Sequence, residues 1–195
     1  DCFVGKTRAL GIPVLKNHGV NAIKKKENAW FLKTKEKQFV CDVVVMAAGS
    51  SRKVWDLSKS LGHTIISPVP SLFTFNIKDD RIKDLSGISV SNATIKLIDT
   101  NLEALGPLLI THWGLSGPAI LKLSAFGARV LAAKNYEYQV QINWLSQPAN
   151  EILDTLLNLK NKQPKKQVIV HSPFKEIPKR LWERFVLASH IHVGH

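Results

Sequence analysis

The sequence predicts a mixed chain in the order α/β, then β, then α, and three observations carry that reading. Val43, Val44, Val45 and Met46 form an unbroken apolar run that ends in small residues, the pattern of a strand buried on both faces in an α/β sheet. Tyr136, Tyr138, Val140, Ile142 and Trp144 alternate strictly, as a half-buried strand does. Ile152, Leu153, Leu156 and Leu157 share one helical face, and Leu181, Trp182 and Phe185 share another.

Along the chain, Thr7 to Val20 reads as a short helical piece running into a strand, with Gly11 and Pro13 at the break. Ala29–Leu32 and Gln38–Val40 read as a hairpin around a Lys-rich turn. After the apolar run, Ser50 or Ser51 caps a helix at Arg52–Leu61, and Gly62 stops it. Pro68 and Pro70 then break the chain before a strand at Leu72–Ile77. Ile88–Ile98 alternates, but its phase slips between Val90 and Ala93, which predicts a bulge or turn at Ser91–Asn92. Several such strands in sequence suggest a small antiparallel barrel or sheet layer. Pro148 and Pro178 mark the starts of the two final helices.

Composition narrows the function classes. The 195 residues are 45% hydrophobic and 22% charged, which suits a globular core and excludes wholesale disorder. No stretch approaches a membrane-spanning length, and the first residues do not read as a signal peptide. Two cysteines without a CxxC fit a reducing, cytoplasmic compartment. The net charge is +12, and residues 1–60 hold 12 basic against 5 acidic residues. The lysines cluster at 24–26, at 33, 35 and 37, and at 160, 162, 165 and 166. Each cluster falls at a predicted turn, and only Trp30 and Phe31 lie close to one, so solvated turns are the main reading and nucleic acid a minor one.

The chemistry concentrates at residues 108–133. Leu108–Thr111 is an apolar strand, Gly114 and Gly117 bracket a tight loop, and Pro118 opens a helix carrying Ile120, Leu121, Ser124, Ala128 and Leu131 on one face. Such a turn lets backbone approach a ligand, although a plain turn capped by Ser116 or Gly117 gives the same pattern. His63 and His112 each lie beside a glycine-containing turn and could relay a proton. GLSGP lacks the G-x-S-x-G spacing of a hydrolase elbow, and no dinucleotide or P-loop fingerprint is present. No His, Cys, Asp and Glu spacing supports a metal; His190, His192 and His195 sit at the chain end.

Read together, VVVMAAGSS (43–51), LGHTIISPVPSLFTF (61–75), LSGISV (85–90), LLITHWGLSGPAILKLS (108–124) and IPKRLWERFV (177–186) resemble the YhiN-type flavoproteins, the aminoacetone oxidase family of FAD-binding enzymes. The resemblance implies three parts: a partial two-dinucleotide-type FAD domain at 1–66, a β-barrel-like insertion at 67–146 and a small helical insertion at 147–195. It implies an FAD-dependent, NAD(P)H-linked oxidoreductase acting on a small molecule. Val20 matches the position whose backbone meets the FAD adenine. Ala48 and Gly49 match the turn near the cofactor, with Ser50 where many members have a second glycine. Thr111, His112, Gly114, Ser116 and Gly117 match the family's TH-x-GLSGP loop near cofactor or substrate, which makes His112 the catalytic candidate. Against the family, the sequence starts after the G-x-G-x-x-G motif and stops before the closing glycine-rich segment. It is therefore expected to be an internal piece that does not hold flavin alone, with exposed edges at 43–47 that invite self-association. The alternative is a basic docking module without catalysis, directed at nucleic acid.

Overall fold

The computed structural model describes residues 2–191. His192 and His195 of the chain-end histidines lie outside them. The chain divides into two compact units, residues 1–67 and 68–195.

The first unit opens with α1 (Cys2–Ala9), which ends at a turn where Gly11 adopts φ 65°. The strand predicted before Val20 does not form there; it begins later, as β1 (Ala22–Lys26). β1, β2 (Ala29–Lys33) and β3 (Gln38–Cys41) make an antiparallel meander. Thr34 builds the β2–β3 turn: its buried hydroxyl donates to the Lys37 carbonyl at 2.9 Å and accepts from the Lys37 amide at 3.1 Å. The cluster Lys24–Lys26 therefore lies on a strand and not at a turn. α2 (Arg52–Ser60) follows, with Ser51 at its N-cap making no side-chain capping bond.

Residues 43–47 form no strand, which corrects the sequence expectation. Val43 is 74% exposed and Val45 82% exposed. An apolar run becomes a buried strand only where neighbouring strands complete its hydrogen bonds and cover its faces, and the first unit supplies neither.

The second unit is a five-stranded antiparallel sheet in the order β4-β7-β6-β5-β8. Its strands are β4 (Phe75–Asn76), β5 (Ser89–Leu97), β6 (Glu103–Thr111), β7 (Gly114–Ser116) and β8 (Val140–Asn143). The register of β5 on β6 shifts between Val90 and Ala93, where the alternation slipped. That bulge bends the sheet. The alternating segment 136–144 pairs only over β8, along β5. Its two tyrosines instead reach the far edge: Tyr136 meets Phe73 at 5.8 Å and Tyr138 meets Phe75 at 4.9 Å between ring centroids. The sheet thus curls into a half-barrel whose open side is bridged by aromatic rings.

α3 (Pro118–Phe126) and α4 (Ala128–Ala133) divide the predicted helical face at Gly127. Ile120, Leu123 and Leu131 bury completely, or nearly so, against Ile95, Leu97, Leu108 and Ile110. α5 (Ala149–Lys162) packs Ile152 and Leu156 on this core, while Leu153 and Leu157 remain about half exposed. α6 (Lys179–Ala188) buries Leu181, Trp182 and Val186 in the same core. The Trp182 indole donates to the Val168 carbonyl at 2.7 Å, fixing the turns between the two helices.

Candidate functional site

The expected loop at 114–117 is a strand. β6 turns back at His112–Trp113 into β7, with Thr111 opposite Gly114 and Leu109 opposite Ser116. Gly114 is required there. Its φ of 143° suits only glycine, and a Cβ would collide with the Phe75 carbonyl and the Ile77 amide of the paired β4 segment. Gly117 (φ 100°) is the N-cap of α3, and a Cβ there would stand 2.8 Å from the Pro107 carbonyl oxygen. Both glycines thus admit the protein's own backbone. Pro118 takes the first helical position, as its fixed φ favours.

This hairpin places Thr111, His112 and Gly114 along one open cleft of about 550 Å³. The opposite wall is the turn from Ile77 to Ser86, carrying Lys78, Asp79, Asp80, Lys83 and Asp84. Ile77 ties the two walls together by donating to the Trp113 carbonyl at 2.9 Å. Within the wall, the Arg81 guanidinium donates to Asp79 at 2.9 Å, and this hydrogen bonding holds the Asp79 carboxyl below its ordinary range and Arg81 above its own. Two arginines of α6 fasten the wall from outside: Arg180 donates to the Asp84 carbonyl at 2.7 Å and Arg184 to the Asp80 carbonyl at 3.0 Å.

His112 sits exposed at the cleft mouth beside Trp113, itself 77% exposed. The Thr111 hydroxyl accepts the Trp113 amide at 3.3 Å. Chemically, the cleft offers an imidazole, a hydroxyl and charges of both signs to a polar small molecule.

The sequence candidates fall in both units. Ser116 and Gly117 lie at the far end of β7 and do not line the cleft. Val20, Ala48 and Gly49 belong to the first unit, as does His63, which is exposed after α2. Gly49 adopts φ 62°, yet a Cβ there would meet no atom within 4 Å. Val20, Ala48 and Gly49 line neither this cleft nor the groove between β5, β8 and the last two helices. The charged wall at 78–84 was missed in the sequence, where Asp79–Asp80 reads as a turn beside Arg81; its one signal is that charge density next to a strand end.

Residues 69–194 match the family described as HI0933-like protein barrel and H2TH domain. The curled sheet accounts for the barrel, and α5, the following turns and α6 fall in the remainder of the match. The chain is also 24% identical over 136 residues to a 3-dehydro-bile acid delta(4,6)-reductase of Clostridium scindens, covering 65% of this chain and 33% of that protein. It spans about a third of the length of that curated relative.

Proposed function

Because this chain belongs to the HI0933-like family, the YhiN-type flavoproteins, we propose that it works as part of an FAD-dependent oxidoreductase and supplies the substrate-side cleft. The observation that supports this reading is the meeting of Thr111 and His112 with the charged 77–86 turn inside the matched region. In this reading His112 donates a hydrogen bond to a substrate oxygen or relays a proton to it, and Thr111 orients the same group. The Lys78 and Lys83 side chains offer local ammonium partners to an acidic group of the substrate, beside the carboxylates of Asp80 and Asp84. Hydride chemistry belongs to the flavin of the family, and this chain contributes position and electrostatics.

The relative's name puts 3-dehydro bile acids, which carry a carboxylate, first among compounds to try. The test is a titration of the isotopically labelled chain with such an acid, followed residue by residue by NMR. Shifts at Thr111, His112 and Lys78–Ser86, reduced by His112→Gln, are the expected result. Shifts confined to other surfaces, or none at saturating ligand, would overturn the assignment.

A further inference from the structure

The register of the β1–β2–β3 meander sorts its side chains onto two faces. Ile23 pairs with Leu32 and Leu32 with Phe39, so these residues share one face, where Ile23 is buried. On the other, Lys24 lies opposite Phe31, Phe31 opposite Val40, and Lys33 opposite Gln38. Lys26 completes that face, its ammonium 5.9 Å from the centre of the Phe31 ring. The result is a surface with three exposed lysines around a half-buried phenylalanine and an exposed valine.

Within the three strands no acidic residue occupies this face, Asp42 following directly after β3, and none of the three lysines pairs with a carboxylate among the described residues. Like charges crowded on one sheet face oppose folding. A polyanion laid across them relieves that cost and releases its own counterions. The aromatic ring at the centre decides which polyanion. Unpaired bases stack on such rings, whereas a duplex hides its bases.

We infer that the Lys24–Lys26–Lys33 face binds single-stranded nucleic acid, with phosphates on the lysines and a base on Phe31. The inference does not depend on the oxidoreductase reading, whose cleft lies in the other unit.

The test is fluorescence anisotropy of a labelled oligothymidylate of about twelve nucleotides, titrated with the full chain at several salt concentrations. Three phosphate contacts predict a slope near −2 in log affinity against log salt, or roughly 20-fold weaker binding from about 50 to 200 mM. Lys24→Ala, Lys26→Ala and Lys33→Ala combined should flatten the slope. Phe31→Leu, which keeps apolar bulk in the sheet, should weaken binding about fivefold or more without changing the slope. Lys160→Ala, Lys162→Ala and Lys165→Ala combined should bind as the parent does. Salt-independent binding, parental binding by the first lysine variant, or an equal loss in the second would overturn the inference. So would equal affinity for a duplex of the same length or for phosphatidylserine vesicles. If Phe31→Leu does not fold, the lysine variants and the duplex comparison decide.

Discussion

The rings of Phe75 and Tyr138 stand 4.9 Å apart at 64°, although β4 and β8 are opposite edges of the sheet. Backbone hydrogen bonds do not join those edges, so this edge-to-face contact and the neighbouring Phe73–Tyr136 pair do.

Burial pushes the Tyr138 phenol up to about 12. A group whose folded value is raised loses its stabilising effect as pH climbs from the unfolded value, near 10, through the folded one. Denaturant unfolding should therefore show stability falling between about pH 10 and 12 more steeply in the parent than in Tyr138→Phe. Identical pH profiles would show that the phenol is not shielded at the barrel seam.

Ser124 ties the segment before β4 to α3. Its fully buried hydroxyl donates to the Leu121 carbonyl at 2.9 Å and accepts the Phe73 amide at 3.1 Å. Ser124→Ala leaves that amide unsatisfied and should cost about 1–3 kcal/mol in equilibrium unfolding.

Gly114→Ala should be more damaging, because it combines a left-handed backbone with a collision against β4. The expected loss is about 3 kcal/mol or more, read as a large drop in melting temperature. Gly49→Ala, in open space at φ 62°, carries only the conformational cost, about 1 kcal/mol.

Arg180 and Arg184 hold the cleft wall from α6. Replacing both with alanine should speed hydrogen exchange across Asp80–Asp84 and loosen ligand binding at His112. Global stability should fall by no more than about 1–2 kcal/mol, since both bonds are exposed. Unchanged exchange in that segment would show that the turn holds its shape without the arginines.

The chain purified and mixed with FAD should emerge from gel filtration without the flavin band near about 450 nm. The reason is that the 195 residues contain no G-x-G-x-x-G turn to hold a dinucleotide pyrophosphate. A retained, stoichiometric flavin would contradict this.

Features that depend on near neighbours in the chain were legible in the sequence. The slip at Ser91–Asn92, the stop at Gly62, Pro118 opening α3 and the two final helices all follow from local backbone preference and periodicity. The family was legible too, because its motifs are short and contiguous. Tertiary structure decided the rest. Val43–Met46 has every property of a buried strand except partners, and pairing is a non-local condition. The half-barrel seam joins Phe75 to a residue 63 positions later in the chain. The cleft brings the 77–86 turn to the Thr111–Gly114 hairpin across β7 pairing, and the lysine face exists only through the register of three strands. Each depends on which segments meet, and that is settled by burial and hydrogen bonding across the whole unit rather than by any run of residues alone.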